Sequence, residues 1–137
     1  MGLQEYCILV DMDKIILIDD DDFVVRAISS MLESVEYVVE SYPDAGPALE
    51  QCDFAAADLI ITDLEMPTSG EDFIRAVRDR GIGIPILVVS GYLTEERHEE
   101  LMSMGVQAVL DKPFKMQGLL DTVERLIEIS PPEIQFN

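Results

Sequence analysis

The sequence predicts an α/β protein, with a doubly wound, five-stranded parallel sheet and helices on both faces. Five short apolar segments recur along the 137 residues. Three of them are almost continuous runs of Ile, Leu and Val, which is typical of strands buried on both faces. Segments with helical spacing of apolar residues lie between them, and this alternation favours a parallel sheet. The length suits a single domain.

The five predicted strands are short, and each is followed by a predicted helix. The strands are Ile15–Ile18, Tyr37–Val39, Leu59–Thr62, Ile84–Val89 and Val106–Leu110. The helices cover residues 22–34, 43–52, 70–79, 94–104 and 114–129. Pro43 suits a first helical turn, Gly105 suits a C-terminal stop, and Pro131-Pro132 is predicted to end the last helix.

Two terminal segments lie outside this pattern. Residues 1–12 are predicted to form an N-terminal extension and residues 131–137 a C-terminal tail, so the predicted domain covers residues 13–130. One hypothesis takes Met12 as the natural start of the protein. The alternative is that Tyr6–Val10 adds a short edge strand.

Composition limits the classes of partner. The net charge is −19, from 28 acidic and 9 basic residues. This charge argues against binding to nucleic acid or to an anionic membrane, and it favours metal cations and partners with basic patches. Cys7 and Cys52 are interpreted as free thiols in a reducing compartment. With no apolar span and no signal peptide in the sequence, we expect a cytoplasmic protein.

The residues that end the predicted strands carry the chemistry. Asp19 and Asp20 follow the first strand, and Asp63 follows the third. Ser90 ends the fourth strand and Lys112 follows the fifth. Ligands of open α/β sheets bind at the carboxyl ends of the strands. Each of these residues alone has an ordinary explanation as a turn, cap or surface residue, but the set in this order is hard to obtain by accident.

Phosphoryl transfer to a carboxylate needs such a set. A carboxylate acts as the nucleophile and becomes an aspartyl-phosphate. Magnesium, a lysine and a hydroxyl then stabilise the charge on the transferred group. Asp19 and Asp20 supply an acidic pocket for Mg²⁺, or for Mn²⁺ in its place. Asp63 supplies another oxygen and is the candidate nucleophile.

At these residues the sequence resembles the receiver domain of two-component response regulators, in particular the single-domain type similar to the chemotaxis regulator. The resemblance covers about residues 13–130. It is carried by Ile15-Ile16-Leu17-Ile18-Asp19-Asp20-Asp21, Asp58-Leu59-Ile60-Ile61-Thr62-Asp63-Leu64-Glu65-Met66-Pro67, Ile86-Leu87-Val88-Val89-Ser90-Gly91 and Asp111-Lys112-Pro113-Phe114. It implies a flavodoxin-like (βα)5 fold with strand order 2-1-3-4-5.

The resemblance also implies a role for each site residue. Asp63 matches the phosphoacceptor, Asp20 the direct metal ligand and Asp19 its acidic neighbour. The backbone carbonyl of Glu65 completes the metal shell. Ser90 matches the switch hydroxyl, and Lys112, joined to Pro113 by a cis bond, matches the lysine that pairs with the phosphoryl group. The two remaining aspartates of the run, Asp21 and Asp22, are predicted to shape the loop and cap the helix.

The implied function is a phosphorylation-dependent signalling switch in a phosphorelay. A sensor histidine kinase or a histidine phosphotransfer protein donates the phosphoryl group, and the altered surface binds an unknown downstream protein. We expect no metabolic enzyme activity beyond self-promoted phosphorylation and dephosphorylation. We expect a monomer or a weak, phosphorylation-dependent dimer, with no nucleic-acid or membrane partner.

Some positions depart from the family pattern or adjust it. Val109 stands where the family often has an aromatic residue, which puts the aromatic part of the switch in doubt. The loop Pro67–Gly70 is one residue shorter than the commonest form. The side chains of Glu65 and Tyr92 flank the path of water to the phosphoryl group, and one hypothesis is that they set the hydrolysis rate.

Two alternative functions remain open. A receiver-like module that is never phosphorylated would serve only for interaction. A haloacid-dehalogenase-type phosphatase is suggested by Tyr6–Asp13, an apolar strand followed by Asp-x-Asp, with Asp11 as the nucleophile. A second apolar strand, Ile15–Ile18, begins within two residues of Asp13, and this argues against the phosphatase motif.

Overall fold

A five-stranded parallel sheet organises the part of the chain that the structure describes. The structure, a computed structural model, describes residues 12–91 and 93–135, with side chains to residue 128. The strands cross the sheet in the order β2-β1-β3-β4-β5, and all neighbours are parallel. This confirms the predicted fold class and strand order. The strands are β1 (Lys14–Ile18), β2 (Val38–Tyr42), β3 (Leu59–Thr62), β4 (Ile86–Ser90) and β5 (Ala108–Asp111).

A helix follows each strand, and side-chain caps fix where several of these helices begin. The helices are α1 (Asp22–Glu33), α2 (Ala45–Gln51), α3 (Gly70–Asp79), α4 (Glu95–Ser103) and α5 (Met116–Gln135), with a 3₁₀ turn at Phe54–Ala56. The Asp21 carboxylate accepts hydrogen bonds from the backbone N–H groups of Phe23 and Val24. Ser69 and Thr94 cap α3 and α4 in the same way. The predicted capping role of Asp21, with Asp22 in the first turn, is therefore confirmed.

The sheet separates two hydrophobic layers, because alternate side chains of a strand point to opposite faces. Ile16 and Ile18 of β1 pack with α2, α3 and α4, whereas Ile15 and Leu17 pack with α1 and α5. All four side chains are at most 1% exposed. Burial on both faces explains why the central strands are unbroken apolar runs.

Some predicted boundaries are wrong, most clearly at the edge strand. β2 runs to Tyr42 rather than ending at Val39. Its second half is polar, since Glu40 and Ser41 lie at the edge of the sheet, and Glu40 forms an ion pair with Lys14 (2.6 Å). An edge strand needs no continuous apolar run, so the apolar pattern missed half of it. β5 likewise begins at Ala108, two residues later than predicted.

The prediction that α5 ends at Pro131-Pro132 is wrong, because the helical backbone continues to Gln135. Proline fixes φ near the helical value, so a helix can pass through it at the cost of backbone hydrogen bonds. The division into a domain at residues 13–130 and two terminal segments stays a prediction. Among the described residues, no helix is both long and apolar enough to cross a membrane.

Several expectations concern residues outside the described ranges. These are the edge strand at Tyr6–Val10, the thiol of Cys7, the alternative nucleophile Asp11 and the rim position Tyr92. Cys52 is described, and it is a free, partly buried thiol, as predicted.

Candidate functional site

Polar side chains meet at the carboxyl-terminal edge of the sheet, where the apolar strands end. Asp19 follows β1, Asp63 follows β3, and Ser90 is the last residue of β4. Lys112 follows β5. Backbone pairing continues past the strands, since the N–H of Asp63 donates to the Ile18 carbonyl (3.0 Å) and that of Lys112 to the Ser90 carbonyl (2.9 Å). The main chain of the site is therefore held by the sheet itself.

Three carboxylates form an acidic cluster at this edge. One oxygen from each of Asp19, Asp20 and Asp63 lies within 4.8 Å of the others. Asp19 is 3% exposed and Asp63 is 7% exposed, whereas Asp20 faces solvent. Carboxylate oxygens are the donors that Mg²⁺ prefers, and magnesium usually takes only one or two of them and keeps water in its other positions. The donor set therefore fits a hard divalent cation.

Lys112 bridges two of these carboxylates. Its Nζ lies 3.2 Å from Asp19 Oδ2 and 3.2 Å from Asp63 Oδ2. Burial lowers the pKa of the Lys112 ammonium, but the charges of Asp19 and Asp63 outweigh this effect, so the pKa lies above its usual value. Burial is also the main reason why the pKa of Asp19 is raised, although Lys112 and the N–H of Asp21 oppose it. Lys112 is therefore a firmly protonated cation among carboxylates that it only partly balances.

The Asp63 carboxylate has a defined orientation. Its Oδ1 accepts a hydrogen bond from the backbone N–H of Leu64 (2.7 Å) and a longer one from that of Glu65 (3.5 Å). Its Oδ2 faces Lys112. Each oxygen thus has its own partner, and the side chain is fixed before any ligand binds.

Ser90 lies beside this cluster and is fully buried. Its Oγ donates a hydrogen bond to Glu65 Oε1 (3.4 Å). The same Glu65 carboxylate pairs through its other oxygen with Arg97 of α4 (3.3 Å). The structure therefore brings all six predicted site residues to one edge of the sheet: Asp19, Asp20, Asp63, Glu65, Ser90 and Lys112.

Four further residues support this edge in roles that the sequence analysis missed: Gly70, Asp44, Thr68 and Arg97. Gly70 lies against the backbone of Asp63 and Leu64, so closely that a Cβ at Gly70 would come within 2.5 Å of the Asp63 carbonyl oxygen. Asp44 accepts hydrogen bonds from the N–H (2.9 Å) and hydroxyl (2.8 Å) of Thr68 and so anchors the loop after β3. In the sequence, the one signal of these contacts was a glycine at the start of a helix, directly after a short loop. The Asp44–Thr68 and Glu65–Arg97 contacts left no signal in the sequence.

Two of the family-specific expectations can be compared directly with the geometry. The Lys112–Pro113 bond is cis, as the resemblance implied. Val109 is partly buried and packs against the hydrophobic layer that contains Leu101 of α4. The position of the usual aromatic switch residue is thus occupied by a smaller side chain within the layer on the α4 side.

Comparison with known proteins decides the family. A family model described as the response regulator receiver domain matches residues 15–124. The chain belongs to the response regulator receiver family. The response regulator protein TodT of Pseudomonas putida is 29% identical over 120 residues, covering 87% of this chain and 53% of TodT. The sensor histidine kinase TmoS of Ectopseudomonas mendocina is 35% identical over 122 residues, covering 87% of this chain and 12% of that protein.

A solved receiver-type structure agrees. The chemotaxis protein CheY4 of Vibrio cholerae is 32% identical to this chain, with a TM-score of 0.78, and the match covers 84% of this chain and 98% of that one. The chain spans only about half the length of TodT (53%). Receiver domains are the phosphorylation-dependent switches of two-component signalling, not classical enzymes, and they bind Mg²⁺ at an acidic cluster. Nothing supports the phosphatase alternative.

Proposed function

We propose that this receiver accepts a phosphoryl group on Asp63. The observation that carries the proposal is the pair of 3.2 Å contacts from Lys112 Nζ to Asp63 and Asp19, beside a cluster of three carboxylates. A partly exposed ammonium among carboxylates, on the same edge of the sheet as a buried hydroxyl, is the arrangement that phosphoryl transfer to a carboxylate needs.

The donor is a phosphohistidine of a sensor histidine kinase or of a histidine phosphotransfer protein. An oxygen of the Asp63 carboxylate forms the new P–O bond while the P–N bond of the phosphohistidine breaks. The electron pair of that bond goes to the imidazole nitrogen, which gains a proton from solvent. Attack in line with the leaving nitrogen is favoured because the Asp63 carboxylate is already oriented by its hydrogen bond from Leu64 (2.7 Å).

Asp19, Asp20 and Asp63, with the backbone carbonyl of Glu65, are the residues that would hold Mg²⁺ or Mn²⁺. When bound, the cation neutralises charge on the transferring phosphoryl oxygens. Lys112 binds another of those oxygens, and its raised pKa keeps it protonated throughout the physiological range. Asp19 keeps its second oxygen on the N–H of Asp21 (2.9 Å), so its orientation does not depend on the cation.

Ser90 supplies the switch. Its hydroxyl leaves the Glu65 carboxylate and donates to the new phosphoryl group. This exchange is favoured because the hydrogen bond to Glu65 is long (3.4 Å) and charged phosphoryl oxygens accept short, strong hydrogen bonds. Because Ser90 ends β4, this movement shifts the balance between two conformations of the segment that leads to α4. The altered surface binds a downstream protein, which we expect to carry a basic patch because the chain has a net charge of −19.

An apolar groove beside the site supports a protein donor. It has a volume of ≈ 400 Å³ and lies between α1 and the segment after β5, where Phe23 is 79% exposed. Lys112 lines the same groove. A histidine-bearing helix that docks there would therefore meet the site directly. We expect the receiver itself to be a monomer or a weak, phosphorylation-dependent dimer.

The domain itself promotes hydrolysis of its phosphoryl group. It therefore acts only on its own phosphoryl group and turns over no metabolite. The side chain of Glu65 lies at the rim of the site, where it can limit the approach of water. Exchange of Glu65 for Ala or Asn, followed by timing of phosphate loss, tests this role. Unchanged rates would exclude it.

Incubation with Mg²⁺ and acetyl phosphate, followed by intact-mass measurement, tests the central proposal. We expect one added phosphoryl group on the wild type and on Asp111→Asn, a matched control at the exposed end of β5. We expect none on Asp63→Asn. If the wild type gains no phosphoryl group while it still binds Mg²⁺, the chain is the unphosphorylated interaction module instead.

A further inference from the structure

A group of charged side chains joins α4 to the segments beside the phosphoacceptor. The Nη1 of Arg97 lies 3.3 Å from Glu65 Oε2, and its Nε lies 3.0 Å from Glu71 Oε2. Glu65 belongs to the loop after β3, and Glu71 lies in the first turn of α3. We call these three residues the α4 clasp. One guanidinium thus connects three separate segments of the chain.

The two ion pairs of the clasp differ in exposure. The side chains of Arg97 and Glu71 are 28% and 22% exposed, whereas that of Glu65 is 52% exposed. Burial raises the pKa of Glu71, but the hydrogen bond and charge of Arg97 outweigh it and hold the pKa below its usual value. Glu71 therefore anchors the guanidinium, and the anchored guanidinium in turn positions the more exposed Glu65.

The position of Glu65 matters because of its neighbours. It lies two residues after Asp63, and its Oε1 accepts the Ser90 hydroxyl (3.4 Å). Three carboxylates already cluster at this edge with one lysine between two of them. An unpaired fourth carboxylate would repel an incoming phosphoryl donor, which is itself an anion.

We propose that Arg97 is a positioning residue for phosphorylation: it holds and neutralises the Glu65 carboxylate, so that this anion does not repel the donor that approaches Asp63. The proposal rests on the proposed function, since it assumes that Asp63 is phosphorylated. The clasp also ties α4 to the carboxylate that binds Ser90, so it links the switch hydroxyl to the helix that follows it.

A double-mutant cycle tests the proposal. Initial rates of phosphorylation by acetyl phosphate with Mg²⁺ are measured for the wild type, Arg97→Gln, Glu65→Gln and the double variant. We expect Arg97→Gln to slow phosphorylation about two- to fivefold, the size that a half-exposed ion pair allows. In the Glu65→Gln background the same substitution should have no effect, because no carboxylate remains to be neutralised.

Two control variants and a second phosphodonor separate this role from loss of structure. Arg75→Gln removes an equal charge from α3, where Arg75 pairs with the exposed Asp72, and it should leave the rate unchanged. Arg97→Lys keeps the charge and should restore most of the rate. Phosphoramidate carries less negative charge than acetyl phosphate, so Arg97→Gln should slow its reaction less.

The outcomes distinguish the two proposals. If the wild type is not phosphorylated at all, the proposed function fails. If the wild type is phosphorylated but Arg97→Gln reacts at the same rate, the role of Arg97 fails alone. It also fails if the effect of Arg97→Gln persists in the Glu65→Gln background or is equal for both donors, because a structural effect would behave in that way.

Discussion

Replacing Gly70 with alanine should lower the stability of the fold and displace Asp63, the proposed phosphoacceptor. A Cβ on Gly70 would lie 2.5 Å from the Asp63 carbonyl oxygen and 2.7 Å from the Leu64 Cα. These distances are about 1 Å shorter than ordinary contacts between heavy atoms. Both neighbours are backbone atoms, which cannot rotate away. The start of α3 or the segment Asp63-Leu64 must therefore move.

The size of the effect follows from that displacement. Overpacking of a buried contact costs about 1–3 kcal/mol of unfolding free energy. The Asp63 carboxylate depends on the Leu64 N–H for its orientation (2.7 Å). A shift of about 1 Å at a reacting group can cost on the order of a hundredfold in rate. We therefore expect Gly70→Ala to lose about 2 kcal/mol of stability and at least about tenfold in phosphorylation rate.

Urea unfolding and the rate of phosphorylation by acetyl phosphate measure these two effects. Gly118→Ala is the matched control, because Gly118 lies in α5 and a Cβ added there would meet no atom within 4 Å. There the substitution should be neutral or slightly stabilising, since alanine is the better helix former and Gly118 lies in the first turn of α5. The reasoning is refuted if Gly70→Ala unfolds at the same urea concentration as the wild type and is phosphorylated equally fast.

Three further predictions concern stability. Arg78→Met should lower the unfolding free energy by about 2 kcal/mol, as seen by urea unfolding, because the Arg78 guanidinium satisfies three backbone carbonyls, of Ile82, Ile84 and Gly105; an unchanged midpoint would contradict this. Mg²⁺ should raise the melting temperature of the wild type through binding to the folded state, and Asp20→Asn should reduce that rise. An equal rise in both proteins would show that Asp20 is not a ligand of the proposed metal site. Burial raises the pKa of Asp44, but hydrogen bonds from Thr68 outweigh it and lower the pKa below 3.8. The ionised Asp44 therefore stabilises the folded state above pH 3.8, and this contribution is lost as the pH falls through the lowered pKa. The difference in unfolding free energy between the wild type and Asp44→Ala should then shrink in acid. A difference that stays constant with pH would contradict this.

The sequence predicted the central part of the fold because burial on both faces leaves a direct pattern. β1, β3 and β4 are runs of Ile, Leu and Val, and the site residues follow from where those runs end. β2 was half missed because an edge strand carries Glu40 and Ser41, so its alternation resembles a polar loop. The helical backbone through Pro131-Pro132 was missed because proline is the strongest single-residue signal against a helix interior, at a cost of about 3 kcal/mol, and yet the helix continues to Gln135.

The supporting contacts of the site were not predictable for a different reason. Arg97 meets Glu65 across 32 residues of sequence, and Thr68 meets Asp44 across 24. Nothing in the local pattern of the Glu-rich α4 shows that its arginine contacts the loop after β3. Such pairs depend on the spacing of α4, α3 and the loop after β3, which exists only once the sheet has formed.

The burial of two acidic side chains is the strongest physical argument that this edge of the sheet is a binding site. Asp21 has a local reason for its position, because it caps α1. Asp19 and Asp63 also accept local backbone N–H groups, from Asp21 and from Leu64. Those hydrogen bonds do not require burial, and yet the two side chains are only 3% and 7% exposed and share Lys112. A solvated run of charge would cost nothing, whereas burial raises the pKa of Asp19 and so destabilises its charged form in the fold at neutral pH. Folds retain such a cost where function requires it, and a cation followed by a phosphoryl group is the ligand pair that would compensate it.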